Sequence, residues 1–155
     1  MHAIKQLFDN KKDAVKKLGI TFNDPCSEQD IIDLQLQVNQ PLPQDLIEFY
    51  TFCNGFETED YMFRVVPISE VIDYRKELKG DTLYFAEYMI YSDEWLIRLN
   101  EGGGYDILNG DHGTKEIAVQ SNSILDFLEI YLNEGLFSKL DNNSFWDRLA
   151  KKTEN

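Results

Sequence analysis

Cysteine and histidine are scarce in this 155-residue chain, which carries only Cys26, Cys53, His2 and His112. The four are far apart and form none of the paired spacings of a zinc site, so no metal and no cofactor are expected. No serine or cysteine stands in the context of an activated nucleophile, and His112 beside Asp111 reads as a turn histidine. A Cys26–Cys53 disulfide is the single pairing available, but Cys53 falls on an apolar helical stripe, where a buried free thiol is expected. Long apolar runs are also missing. None approaches the roughly 20 residues that span a bilayer, and the opening Met1 to Phe8 lacks the apolar core of a signal peptide. A cytoplasmic location away from membranes is expected. Basic residues are few: 15 against 28 acidic ones leave a net charge of −13. Such a field repels nucleic acid and anionic membrane and attracts a cationic partner, although it also serves plain solubility.

The hydrophobic share of 43%, with 13% aromatic residues, separates the chain from disordered sequences. Its length suits one domain that buries about two-thirds of its unfolded surface. Ile4, Leu7, Phe8, Val15 and Leu18 predict a first helix over 3–18, stopped by Gly19. Ser27, with Glu28 and Asp30 behind it, predicts the capped start of a second helix that carries Ile31, Leu34 and Val38 inward. Pro43 suits the first turn of a third helix, Leu46, Phe49, Tyr50 and Cys53 form its stripe, and Asn54-Gly55 closes it with a left-handed glycine. Tyr61–Val66 reads as a strand halted by Pro67, and Ser69 as the cap of a helix running to Gly80.

From Leu83 the pattern is β. Segments 83–91, 94–100, 105–108 and 115–120 are joined by connections too short for parallel crossovers, so an antiparallel meander follows. In the second segment Trp95, Ile97 and Leu99 alternate with Glu94, Leu96 and Arg98, leaving one apolar face for helices. Ile124, Phe127, Leu128 and Tyr131 predict a helix ended by Gly135, and the tail over 143–152 a last short one. The expected fold class is α+β: one domain, an antiparallel meander with helices packed on it, its core about 27–134.

The run Leu42-Pro43-Gln44-Asp45-Leu46-Ile47-Glu48-Phe49 through Asn54-Gly55 resembles the signature "LP.dy..F....NG" of the SUKH superfamily. These are the Smi/Knr-type proteins that include bacterial toxin-immunity proteins and fungal cell-wall regulators. Val66-Pro67-Ile68-Ser69-Glu70-Val71, Phe85-Ala86-Glu87, Ser92-Asp93 and the helix over Ser121–Leu132 match further family segments in family order. The resemblance implies Leu42, Pro43, Phe49, Asn54, Gly55 and Pro67 as structural signature residues, and a binding protein rather than a catalyst.

Other chemistries read poorly from the residues. Gly102-Gly103-Gly104 lacks the lysine and Ser/Thr of a phosphate loop and reads as a hairpin turn. Asp106, Asn109 and Asp111 fail the calcium-loop spacing, since its twelfth position falls on Ile117. Two carboxylates at glycosidase separation are a property of space, and 28 acids make a chance pair uninformative. The acidic turn Glu57-Thr58-Glu59-Asp60 with Tyr61 is the foremost candidate contact for an Arg/Lys-rich partner, and Asp93-Glu94-Trp95 the second. Against this stands the reading of solvated loops with Tyr61 and Trp95 turned into the core. As loop positions, Glu57, Glu59 and Asp60 should tolerate charge reversal without loss of fold. No catalytic residue is expected. The expected function is a cytoplasmic immunity protein that occludes a basic toxin, with a nuclease in view; the alternatives are a regulatory scaffold of the cell-wall-regulator type and, remotely, a carboxylate-dependent carbohydrate enzyme.

Overall fold

Seven strands lie in the sheet in the order in which they occur in the chain, each antiparallel to the next. The computed structural model describes residues 3–74, 82–89, 93–111, 117–137 and 144–154. Helices α1 (Ala3–Asn10) and α2 (Lys12–Lys17) lead into β1 (Thr21–Phe22), α3 (Glu28–Val38) and α4 (Gln44–Phe52). Then follow β2 (Phe56–Glu57), β3 (Arg64–Val65) and α5 (Ile68–Tyr74). The long strands β4 (Thr82–Tyr88), β5 (Asp93–Leu99), β6 (Tyr105–Asp111) and β7 (Ile117–Ser121) precede α6 (Ile124–Glu134) and α7 (Phe145–Glu154). This is an α+β domain built on an antiparallel meander, as the alternation and the short connections require.

Several local signals act as read. Ser27 caps α3 through a full capping box with Asp30, satisfying two amides that a helix start leaves open. Ser123 caps α6, and Gly135 at φ +72° ends it. Asn100 donates to the Gly104 carbonyl at 2.8 Å, so the triple glycine is a hairpin turn. Cys26 and Cys53 are free thiols.

Other boundaries differ. The first helix breaks at Lys11, whose φ of −119° is not helical. The apolar period continues across the break, which is why the sequence does not disclose it. Pro43 is the residue before α4 rather than its first turn, and Cys53 lies beyond its end in extended backbone, buried all the same. Tyr61 and Met62 are not strand: both are left-handed, at φ 56° and 61°, and only Arg64–Val65 pairs in the sheet. The helix read from Ser69 begins at Ile68, and its expected end at Gly80 lies outside the described residues, as do His2 and His112.

The signature around α4 is a clamp on the segment that follows β3. Tyr50 donates its hydroxyl to the Val66 carbonyl at 2.9 Å, and Asn54 Oδ1 accepts the Ile68 amide at 2.8 Å, capping the start of α5. Gly55, at φ +79°, passes so close to Val65 and Val66 that a Cβ would overlap the Val65 carbonyl oxygen. Phe49 is wholly buried against Tyr50, Phe56 and Phe85. A second aromatic group, Phe63, Trp95, Phe127, Tyr131 and Phe145, joins the sheet to α6 and α7. One continuous core therefore runs from Ile4 to Leu149.

Candidate functional site

Residues opposite one another in an antiparallel sheet share a face. The register sets Glu57 opposite Arg64, Arg64 opposite Glu87, and Glu87 opposite Glu94, so one row carries three carboxylates and one guanidinium. Arg64 is the hub. Its Nε meets Glu87 Oε1 at 2.5 Å, its Nη1 meets Glu70 Oε2 at 3.0 Å and Glu57 Oε1 at 3.3 Å, and its Nη2 meets Glu70 Oε1. Tyr84 donates to the second oxygen of Glu87 at 2.7 Å. The bonds to Glu70 and then Glu87 raise the Arg64 pKa further above its ordinary range, against the burial that opposes it. Glu87 is only 4% exposed; a carboxylate so placed needs its partners, which makes this network part of the fold.

The turn after β2 sends its acids in different directions. Glu57 is exposed on the sheet row. Glu59 takes its place through its amide, which donates to Leu18 at 3.2 Å, and its side chain crosses Gly19, where a Cβ would come within 2.7 Å of it. Asp60 turns inward: its Oδ2 accepts the amide of Leu136 at 2.9 Å. The expectation that Asp60 is a freely solvated loop carboxylate is therefore corrected, because this oxygen satisfies a backbone donor at the end of α6. Tyr61 and Met62 point outward, 53% and 54% exposed.

Tyr61 does not stand alone. Its ring meets Phe137 edge-on at 5.0 Å between centroids, Phe137 meets Trp146 at 5.6 Å, and Tyr88 contacts both. Trp146 Nε1 in turn donates to Asp93 Oδ1 at 3.3 Å, and Asn109 donates to the same oxygen at 3.0 Å. One member of each candidate cluster, Tyr61 of the first and Asp93 of the second, thus joins one aromatic group. Trp95 is the exception. It is fully buried between Phe63, Phe127, Phe145 and Trp146, so its expected place at the surface is corrected. Its apolar alternation with Ile97 and Leu99 had put it on the helix-covered face, and that signal prevails. Glu94, its neighbour in β5, points to the opposite face with Glu57.

Sequence reading missed Met62, Tyr88, Phe137 and Trp146. Met62 and Phe137 lie outside the helices and strands, with no period to mark them, and Tyr88 and Trp146 sit at the end of β4 and the start of α7, where the period of the element marks packing and not a shared surface. Asp106 forms an ion pair with Arg98 at 3.0 Å across the β5–β6 hairpin. Among the described residues no group of three or more metal-binding side chains gathers, and no helix is long and apolar enough to cross a membrane.

An antiparallel sheet covered by helices, presenting a bordered aromatic surface, has the build of a binding domain. The chain belongs to the SMI1 / KNR4 family (SUKH-1), whose model matches residues 25–130. That span runs from the lead-in to α3 into α6 and contains the α4 clamp, the Arg64 hub and the acidic turn. Membership supports a non-catalytic SUKH-type domain of the protein-interacting kind. No curated protein matches the chain at a significant level.

Proposed function

We propose that the protein is a cytoplasmic, non-catalytic immunity protein that binds and occludes a basic toxin, a cationic nuclease domain being the partner its charge suits best. The observation that carries this reading is the net charge of −13 together with a partly exposed aromatic group of Tyr61, Phe137 and Trp146, which Asp93 adjoins through the Trp146 indole; Glu57 and Glu94 carry further charge on the opposite face of the sheet. Carboxylates at the rim of such a surface accelerate encounter with a basic partner and repel wrong ones. Aromatic side chains at its centre supply the contact area that holds it.

The test is co-expression with a toxin domain encoded beside the gene, followed by purified binding at two salt concentrations. Glu57→Gln/Glu59→Gln/Glu94→Gln removes three charges while keeping side-chain shape and leaving Asp60 in place. The association rate should fall, most steeply at low salt, where screening is weakest. Unchanged protection together with an unchanged rate and salt slope would remove these three carboxylates from the interface.

A further inference from the structure

Two adjacent non-glycine residues in left-handed backbone, both with large apolar side chains held in solvent, are unusual on two counts. Tyr61 and Met62 each sit at φ near +60° and each is more than half exposed. Left-handed backbone is unfavourable for a residue with a Cβ, and such positions gather at functional sites when the surrounding structure enforces them. Enforcement is visible here. Thr58 Oγ1 donates to the Phe63 carbonyl at 2.6 Å and accepts the Asp60 amide at 3.2 Å, Phe63 N donates to the Asp60 carbonyl at 3.0 Å, and Asp60 ties the turn to Leu136. The turn is locked in a shape that displays its apolar side chains.

Phe137, 42% exposed, leaves the tie at Leu136 beside this turn and meets Tyr61 edge to face. Tyr88 and Trp146, both half-buried, back it from the sheet and from α7. Phe137 and Trp146 lie beyond the segment that the family model matches, so family membership does not by itself place this surface. We propose that Tyr61, Met62 and Phe137, backed by Tyr88 and Trp146, are the seat for an exposed aromatic or long aliphatic side chain of a basic protein. Lysines or arginines flanking that side chain meet Asp93, which accepts from the Trp146 indole at 3.3 Å, within the field of a chain of net charge −13. The proposal takes from the function proposed above only the sign of the partner's charge.

Charge selects this occupant over others. A second copy would bring an equally acidic chain, of net charge −13, against this one, and an anionic membrane would meet the same repulsion. A basic protein gains on both counts: its cations meet carboxylates, and its apolar side chain meets rigid rings and an adaptable methionine.

The test uses the full chain, isotope-labelled for NMR, and three pentapeptides: Lys-Lys-Trp-Lys-Lys, Lys-Lys-Ala-Lys-Lys and Glu-Glu-Trp-Glu-Glu. The first should shift the signals of Tyr61, Met62, Phe137 and the Trp146 indole, and bind about fivefold more tightly than the alanine peptide, as one well-placed aromatic contact implies. The acidic peptide should leave these signals unmoved. In Tyr61→Ser/Phe137→Ser the tryptophan peptide should fall to the affinity of the alanine peptide, while the alanine peptide binds as before. Met62→Asn, which suits left-handed backbone, gives the same comparison without removing a ring. Equal affinity for the tryptophan and alanine peptides, shifts scattered over the acidic surface, or concentration-dependent shifts at the seat without peptide would each overturn the proposal, the last by naming a second copy as occupant. If the peptides behave as stated while co-expression gives no protection, the seat stands and the toxin reading falls.

Discussion

Asp60 accepts the backbone N–H of Leu136 at 2.9 Å, a bond that spans 76 residues of sequence and joins the acidic turn to the end of α6. The approach depends on Gly135, where a Cβ would lie 2.7 Å from the same carboxylate oxygen. The turn that displays Tyr61 is therefore held by the helix that leads to Phe137, and the two rings meet because their backbones are tied.

Asp60→Ala should cost about 1–3 kcal/mol, because it leaves the part-buried Leu136 amide without its acceptor. Asp60→Asn, which keeps an oxygen in place, should retain most of the stability. Urea unfolding of both variants decides this; an alanine variant as stable as the parent would mean that water satisfies Leu136.

Gly55→Val should destabilise the fold by at least about 2 kcal/mol, since it combines left-handed strain with overlap against the Val65 carbonyl. Thermal unfolding is the measurement. An unshifted midpoint would mean that the strand after Gly55 moves freely, against the clamp described here.

Phe49→Ala should cost roughly 3–5 kcal/mol, as a wholly buried ring with three ring neighbours leaves a cavity that they cannot fill. Denaturant unfolding that shows less than about 1 kcal/mol would contradict its place at the centre of the α4 stripe.

Arg64→Met should cost about 3 kcal/mol by leaving Glu87 buried without its cation, and Glu87→Gln added to it should recover part of the loss. A double variant no more stable than Arg64→Met would show that Glu87 is held chiefly by Tyr84.

Stability should fall on the alkaline side from about pH 9. Burial pushes the Cys53 thiol up from 9.0 to about 12, with the nearby Cys26 adding to the shift and a bond at Gly55 opposing it. The unfolded chain then gives up this proton first, so the stabilisation is complete below pH 9 and is lost progressively between pH 9 and 12. Tyr50, Tyr105 and Tyr131, also pushed up by burial, act in the same direction from about pH 10. In Cys53→Ala the slope between pH 9 and 10 should flatten, although the variant is less stable overall. An identical slope in urea titrations would assign the alkaline loss to Cys26, also pushed up by burial, and the tyrosines.

The sequence by itself determined what local chemistry controls: the Ser27 box that opens α3, the Gly135 stop, the glycine hairpin, and the alternation that turns Trp95, Ile97 and Leu99 toward the helices. Each signal lies within a few residues, where capping, left-handed backbone and side-chain period act. The two-residue strands β1 and β2 were not legible, because two residues have no period, and β3 was read only as part of the longer segment Tyr61–Val66; neighbouring strands align all three. The candidate surface was legible in part, as acidic clusters with Tyr61. Only the tertiary structure decided that Asp60 is a tie and that Phe137 and Trp146 link Tyr61 to Asp93. Those outcomes rest on contacts such as Asp60–Leu136 and Asp93–Trp146, whose partners lie tens of residues apart, and no local preference of either partner encodes the meeting.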